Sequence, residues 1–472
     1  MSRDIYTPSG FSGHIGVARE DITPPVGIYA RNWGAAQHDV ATGIHRPLTL
    51  TALTLQQTPD GDPLVLIAAD LGWWRTLEDE WFVRSGVLEA FSLAPARVMM
   101  NLSHTHAGPS ICREDADKPG GEMIAPYLEK LREAAIAATR RALESAQSTT
   151  LTWMYGRCNL AADRDLCSLE TEKVLCGFNP DRSAGGAWLA DDTLLVGRVT
   201  TEGGATLATL VNYACHPTTL AFENSLISPD FVGAMRELVE AHTGDAPCLF
   251  LQGASGELAP RDQYTSDTAI ADANGRQLGY SVLAALEGML PPCTELHFKG
   301  VVESGASLAI WKRAPFSPSN ALDAVCHQVE MRLKCLPSVA EIEAELAHTT
   351  DRVEAEKLRR KRRVRQAVGE GTKTRIPLWI WHVGDSVLIG QPNEAYSLLQ
   401  HWLRGRFPDN ALAVMNVVNG HIGYLPRGTL YLSKFDSYPV TQTPFEQESL
   451  EWLMKTLQKR LQYWFGGEEW DV

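Results

Sequence analysis

The amino-acid sequence predicts an α/β protein in which mixed β-sheets are flanked by helices, and two observations carry that expectation. Apolar, β-branched runs that stop at Gly, His or Pro recur along the chain, and helical periodicities lie between them. Near-continuous apolar character bounded by turn residues is what strands buried on both faces require. Strands alternating with helices point to a parallel or mixed sheet. The expected strands fall at 63–70 (PLVLIAAD), 97–103 (RVMMNLS), 207–215 (LATLVNYAC), 246–252 (APCLFLQ), 386–391 (SVLIGQ) and 411–418 (ALAVMNVV). The helices are expected at 126–147, 231–242 and 278–289, where apolar residues recur at helical spacing.

At 472 residues the chain can bury a large core, and 44% hydrophobic with 21% charged residues is ordinary for a globular protein. Residues 1–472 read as a single catalytic α/β domain with a charged helical insertion at about 338–368. Lys and Arg total 43 against 57 Asp and Glu, a formal charge of −14. That balance repels polyanions at long range, so neither nucleic acid nor an anionic membrane is an expected partner. A small molecule is the expected partner, and self-association is left open. No basic region followed by an apolar stretch opens the chain, and nine cysteines are scattered without CxxC spacing. Both features suit reduced thiols and a cytoplasmic location.

The insertion has its own character. Ser338 and Glu341 form a capping-box pattern after Pro337, so a charged helix is expected from there to about Val368. Its end, 357–365 (KLRRKRRVR), is strongly basic. The plain reading is a solvated helix face, balanced by nearby glutamates; a lid, a subunit contact or an anion-docking face are the other readings.

Five constellations could carry chemistry. The first, 101–109 (NLSHTHAGP), is entered from a strand and ended by Gly108-Pro109. If strand alternation persists through it, His104 and His106 share a face. That suits one metal ligand beside one acid/base or oxyanion partner, although a hydrogen-bonded structural pair has the same spacing. The second, 212–219 (NYACHPTT), sets His216 before Pro217, where the backbone must leave the α region. Ser228-Pro229-Asp230 then reads as a helix start, with Asp230 in the first turn or behind the site as an acceptor. In the third, 250–261 (FLQGASGELAPR), a strand opens into Gly253, Ser255 and Gly256, whose backbone N–H groups could approach a ligand. Ser255 has no GxSxG context, which argues against a serine nucleophile. The fourth, 391–394 (QPNE), puts Glu394 directly after a strand, where a carboxylate completes a zinc site of two histidines and an acid. The fifth, 419–426 (NGHIGYLP), carries Tyr424, and Tyr438 follows in FDSYPV. Tyrosine beside a Lewis acid can ligate it or donate to an oxyanion. Asp70, at the end of 63–70, is a lesser candidate for which a structural role is preferred.

Taken together in this order, the segments resemble the catalytic domain of the neutral/alkaline, non-lysosomal ceramidase family. The resemblance opens with 16–27 (GVAREDITPPVG) and continues through HTHAGP, NYACHPTT, LQGASGELAP, PNE and GYLP, from about residue 14 to 440. The family holds one catalytic zinc, and the resemblance implies His104, His216, Glu394 and Tyr438 as its ligands. Asn393 replaces the family's glycine before that glutamate, and Pro439 follows Tyr438 where the family usually has Glu. The resemblance further implies Tyr424 as the substrate-facing tyrosine, His106 as the histidine supporting the transition state, and Arg164 (in ADRD) as the site arginine. Ala259 stands where the family carries a serine facing the substrate head group, so ceramide is not the expected substrate.

The expected function is therefore a bacterial, cytoplasmic, Zn²⁺-dependent hydrolase that uses metal-activated water. Its substrate would be a small soluble molecule with an amide, ester or lactone bond. The alternatives are a zinc lyase or isomerase that enolises a sugar-like metabolite, and a non-catalytic metal-binding protein.

Overall fold

A computed structural model describes residues 4–168, 170–178 and 190–466. Each expected strand is present, and together they build two facing sheets. The larger contains β1 (Gly10–Asp21), β2 (Thr49–Gln56), β3 (Leu64–Ala69), β4 (Val98–Leu102), β5 (Gln147–Arg157), β6 (Thr193–Thr201), β7 (Thr206–Tyr213) and β8 (Cys248–Gln252). Its order is β8-β7-β6-β5-β1-β2-β3-β4. The two outermost pairs, β7/β8 and β3/β4, are parallel and the inner pairs antiparallel. The smaller sheet runs β9 (Leu322–Arg332), β10 (Lys373–Val383), β11 (Ser386–Gly390) and β12 (Ala411–Met415), with β11 and β12 parallel.

Alternation along single strands builds the layers, because successive side chains point to opposite faces. Leu64 and Leu66 of β3 enter the core between the sheets, where they join Trp381, Leu388 and Met415. Val65 and Ile67, the residues between and after them, pack outward against Leu128 and Leu131 of α2 (Ile124–Glu144). In β10, Trp379, Trp381 and Val383 face the larger sheet, while Ile376, Leu378 and Ile380 meet Leu403 and Leu457 on the other side. The continuous apolar runs are thus two alternating sets read together. Helices cover both outer faces: α1 (Leu77–Ala90), α2, α3 (Phe231–His242) and α4 (Thr268–Gly288) on the larger sheet, and α7 (Leu398–Arg406) and α9 (Ser449–Gly466) on the smaller. The α4 helix begins well before residue 278, because Asp267 caps it through the N–H of Ala269.

The charged insertion departs from expectation. It is two helices, α5 (Val339–His348) and α6 (Arg352–Val368), joined through Thr349–Asp351. The Ser338/Glu341 capping box starts the first, and Asp351 starts the second by accepting from the N–H groups of Val353 and Glu354 at 2.9 Å each. A second strong N-cap inside a charged run is a break that periodicity alone passes over. Nor is α6 simply a solvated face. Glu356, Leu358, Arg363 and Arg365 are buried, and Arg363 pairs with Asp115 and Glu114 from the first third of the chain. A short helix, α8 (Tyr438–Gln442), lies between β12 and α9. All nine cysteines are free thiols, and no helix among the described residues is long and apolar enough to cross a membrane.

Leu66 is fully buried between the sheets. Leu66→Ala should therefore lower the unfolding free energy by about 2–5 kcal/mol, the transfer cost of the lost methyls plus the cavity left behind. Urea denaturation should show a lower midpoint at unchanged slope; an unchanged midpoint would deny that the sheets share one core.

Candidate functional site

The candidate residues lie on loops that leave the ends of β4, β7, β8, β11 and β12, and buried asparagines tie those ends together. Asn101, at the end of β4, accepts from the N–H of Gln252 in β8 (2.9 Å) and donates to the carbonyl of Asn416 (2.8 Å). Asn419 accepts from the N–H of Met100 (2.7 Å) and donates to the carbonyl of Val98 (2.8 Å), acting as a surrogate neighbour for edge strand β4. Asn212 bridges β7 to the carbonyls of Leu251 and Val414. The backbone pays locally: His104, Val417 and Asn419 hold φ at 69°, 54° and 52°, a left-handed conformation that side chains disfavour and functional sites retain.

That turn at His104 revises the strand reading of 101–109. The strand ends at Leu102, and His104 and His106 reach one centre through a turn instead of by alternation. The Nδ1 of His104 donates to the Gly72 carbonyl (3.1 Å), and that of His216 to the Ser255 carbonyl (2.6 Å). A carbonyl can only accept, so Nδ1 carries a proton in each ring, and Nε2 is the nitrogen turned toward Glu394. Glu394 Oε2 lies 2.9 Å from His216 Nε2 and 3.5 Å from His104 Nε2. Burial, then Arg164, pushes His216 down to about 4, which leaves it neutral. Burial opposes ionisation of Glu394, but His104, His216 and His421 hold its carboxylate well below the usual range.

Two imidazole nitrogens and a carboxylate oxygen therefore converge, and His104 Nε2 has no hydrogen-bond partner among the described residues. A cation would satisfy all three atoms. Metal–nitrogen bonds of roughly 2.0–2.1 Å in a tetrahedral site place ligand atoms about 3.3 Å apart, which 2.9 and 3.5 Å bracket. The donors of His104, His106 and His216 also lie within 4.8 Å of one another, so His106 is within reach of the same ion. Among these candidates only Glu394 would bring negative charge to offset a buried dication.

The remaining predicted residues surround this centre. Tyr424 accepts from Arg164 (3.4 Å) and donates to Glu394. Burial, then Glu394, keeps its phenol far above the ordinary range and so protonated. Arg164 is buried, and its Nη2 also donates to the Gly256 carbonyl (2.9 Å) and approaches His216 Nε2 (3.2 Å). His106 has both ring nitrogens buried and unpartnered. Its ring sits between Trp33 and Trp73, each 4.9 Å away, and burial, then His104 and His216, holds it neutral. Tyr438 stands one ring further out, 5.9 Å from Tyr424, and its hydroxyl accepts from Arg360 (3.0 Å) instead of meeting the His/Glu cluster. Asp70 lies apart in a buried ion pair with Arg236 (2.7 Å), the structural role preferred for it. Asp230 caps α3.

The glycine loop after β8 works in the opposite sense to the one expected. Its N–H groups at Gly253, Gly256 and Leu258 are spent on Tyr213, Ala395 and Ser255, and its carbonyls serve the site by orienting His216 and Arg164. Gly256 is required there, since a Cβ would lie 2.6 Å from the Tyr396 ring and 2.8 Å from the Glu394 carbonyl. Sequence reasoning also missed His421, whose Nε2 donates to Glu394 Oε1 at 2.8 Å and orients the carboxylate. It sits in NGHIGYLP, three residues before Tyr424, and a histidine in a motif already singled out was the available signal. Trp33 and Trp73 had no such signal, whereas Arg360 lies in the basic run 357–365. With His104, His106, Glu394 and Tyr424 they line a cavity of about 290 Å³.

No protein-family model matches the chain, and no curated protein does. Among solved structures, the chain is similar to neutral ceramidase from Pseudomonas aeruginosa, with a TM-score of 0.66 and 16% identity over 96% of this chain and 74% of that one. It is also similar to a ceramidase complexed with C2, with a TM-score of 0.65 and 15% identity over 99% and 77%. At such identity the likeness establishes the fold: a mixed α/β architecture of the neutral-ceramidase type.

Glu257 anchors the glycine loop by accepting from the N–H of Ser397 (2.9 and 3.0 Å). Burial pushes its carboxyl from the ordinary 4.5 up to about 8. Between those values the folded chain binds the proton that the unfolded chain releases. This contribution to stability is therefore complete below about pH 4.5 and lost as pH rises through 8. Thermal melts from pH 5 to 9 should show the parent losing stability that Glu257→Gln retains; parallel curves would exclude the shift.

Proposed function

We propose that the chain is a zinc-dependent hydrolase that cleaves an amide, ester or lactone bond of a small soluble molecule, acting in the cavity above His104, His216 and Glu394. The observation that carries this reading is the convergence of two imidazole nitrogens and a carboxylate oxygen, with the carboxylate at 2.9 and 3.5 Å from the two rings. Two imidazoles and a carboxylate are a donor set that suits zinc. His104, His216 and Glu394 would hold the ion, and Tyr438 is the expected fourth ligand once released from Arg360. When bound, zinc supplies Lewis acidity toward a carbonyl oxygen and lowers the pKa of water.

The chain's own residues supply the rest. A carbonyl under attack builds negative charge on oxygen, and preorganised donors aimed at that charge lower the barrier. Arg164 and the protonated Tyr424 are such donors, and both are already fixed by buried contacts. His106, held neutral, can offer an N–H to the same oxygen, and its two unpartnered nitrogens leave it free to do so. Trp33 and Trp73 wall that histidine from water, which strengthens each of these interactions.

Ceramide is not the proposed substrate, although both solved neighbours are ceramidases. A cavity of about 290 Å³ is small for two long alkyl chains. Ala259 is fully buried against Ala162 and offers no hydroxyl.

Elemental analysis should find about one zinc per chain after reconstitution, and His104→Ala and His216→Ala should lose it. His106→Ala should keep the zinc and lose roughly 10²–10³ in kcat, the usual effect of removing one oxyanion donor. Loss of metal from His106→Ala with retention in the Glu394→Gln variant would instead make His106 the third ligand. No transition metal in any preparation would end the proposal. Detergent-dispersed ceramide should be turned over negligibly, and rapid release of fatty acid from it would overturn the substrate reading.

A further inference from the structure

One wall of the cavity is formed by α6. It presents Val353, Glu356, Lys357, Arg360, Arg363 and Val364 to the interior, the three- and four-residue spacing of one helical face. Five of the residues lining the cavity are Arg or Lys and two are Glu, the reverse of a chain whose formal charge is −14. Cations are therefore concentrated in this lining relative to the rest of the molecule, and a cation that keeps donors free can serve an anionic ligand.

Not all five cations are available. Arg363 is held by Glu114 and Asp115, and Arg75 by Asp115, Asn32 and the Arg31 carbonyl. Arg164 makes its contacts to Tyr424, Gly256 and His216 from Nη2 and belongs to the cluster around Glu394. Arg360 stands on α6, with one carboxylate partner. It donates to Glu356 (3.0 Å), and otherwise to two neutral oxygens, the Tyr438 hydroxyl (3.0 Å) and the Asn32 carbonyl (2.7 Å), which uses three of the five N–H groups of a guanidinium. Lys357 spends one donor on Glu354 (2.6 Å) and is half exposed. Trp33 adds a buried indole N–H without a partner. The Arg360 guanidinium lies 5.3 Å from the Trp73 ring, itself 4.9 Å from the His106 ring, so at most about 10 Å separates it from His106.

We propose that the substrate carries a carboxylate distal to the bond that is cleaved, and that Arg360 and Lys357 anchor it through the donors they have to spare. The inference rests on reading this cavity as the hydrolytic site and adds its substrate class: a short acyl or amido acid whose anionic end lies within about 10 Å of the reacting carbonyl. The planar fork of Arg360 suits a carboxylate, and Lys357 contributes a mobile charge at the rim. The basic run at 357–365 thereby acquires a role as an anion-docking face turned inward.

The test uses the full chain and an uncleaved probe pair, 4-benzoylbutyrate and the same ketone with its carboxylate replaced by a primary carboxamide. Calorimetric titration should show the carboxylate bound at least about tenfold more tightly, the scale of one charge-assisted contact. Arg360→Met and Lys357→Met should each reduce that preference severalfold. Arg360 also braces Tyr438 and Asn32, so Lys357→Met, at an exposed position, keeps the test decisive if the first variant folds poorly. A parent preference near one overturns the anchor. So does a preference that Lys357→Met leaves intact, because the carboxylate would then be binding elsewhere in the cavity. Release of 4-nitroaniline from the mono-4-nitroanilide of glutaric acid reports on the hydrolase reading separately. Carboxylate preference without such cleavage supports the anchor and counts against the hydrolase.

Discussion

The site depends on a problem at the edges of the larger sheet. Strands β4 and β8 are its two edges, and an edge strand carries backbone donors and acceptors that the ladder does not reach. Asn101 and Asn419 meet that need with side-chain amides, one joining β4 to β8 and the other pairing with the open side of β4. Because a buried amide that loses a partner costs the full desolvation of that group, these contacts admit little slack. They fix where β4, β8 and β12 end relative to one another. The loops that leave those ends carry His104, Ser255 and His421, so edge satisfaction and site geometry are the same constraint.

Within that frame the cluster gathers metal-capable donors around one point. Backbone carbonyls take the Nδ1 protons of His104 and His216, and three histidines hold Glu394 ionised. Two imidazole nitrogens and a carboxylate then lie close together in a buried setting, a donor set that could hold a cation. The positive φ at His104 belongs to the same account: a strained backbone is kept where the surrounding contacts over-determine it. In the wall of the same cavity α6 supplies cations, and the ion pairs that hold it in place come from residues about 250 positions earlier.

The elements and most of the centre were legible in the amino-acid sequence because their signals are local. An apolar run bounded by turn residues is visible whether it faces one layer or two, and a histidine or glutamate directly after such a run stands out. His104, His216, Glu394, His106, Tyr424 and Arg164 were named on that basis, together with the ordered family motifs; the structure sets five of them in the lining of one cavity, with His216 behind them against Glu394. Tyr438 was named too, and its ring stands behind Tyr424 with its hydroxyl on Arg360. His421 escaped because its role is to orient a carboxylate 27 residues away.

What the sequence by itself determined is which residues could bear chemistry and the α/β class that would carry them, since both follow from side-chain type and periodicity. Only the tertiary structure decided which way they face. The glycine loop turned its carbonyls inward because its N–H groups found partners on neighbouring strands. The basic helix became a cavity wall because Asp115, Glu114 and the Asn32 carbonyl pair with it from remote segments. Pairings across hundreds of residues leave no periodic trace in a chain, because they are set by the packing of the layers and not by spacing along it.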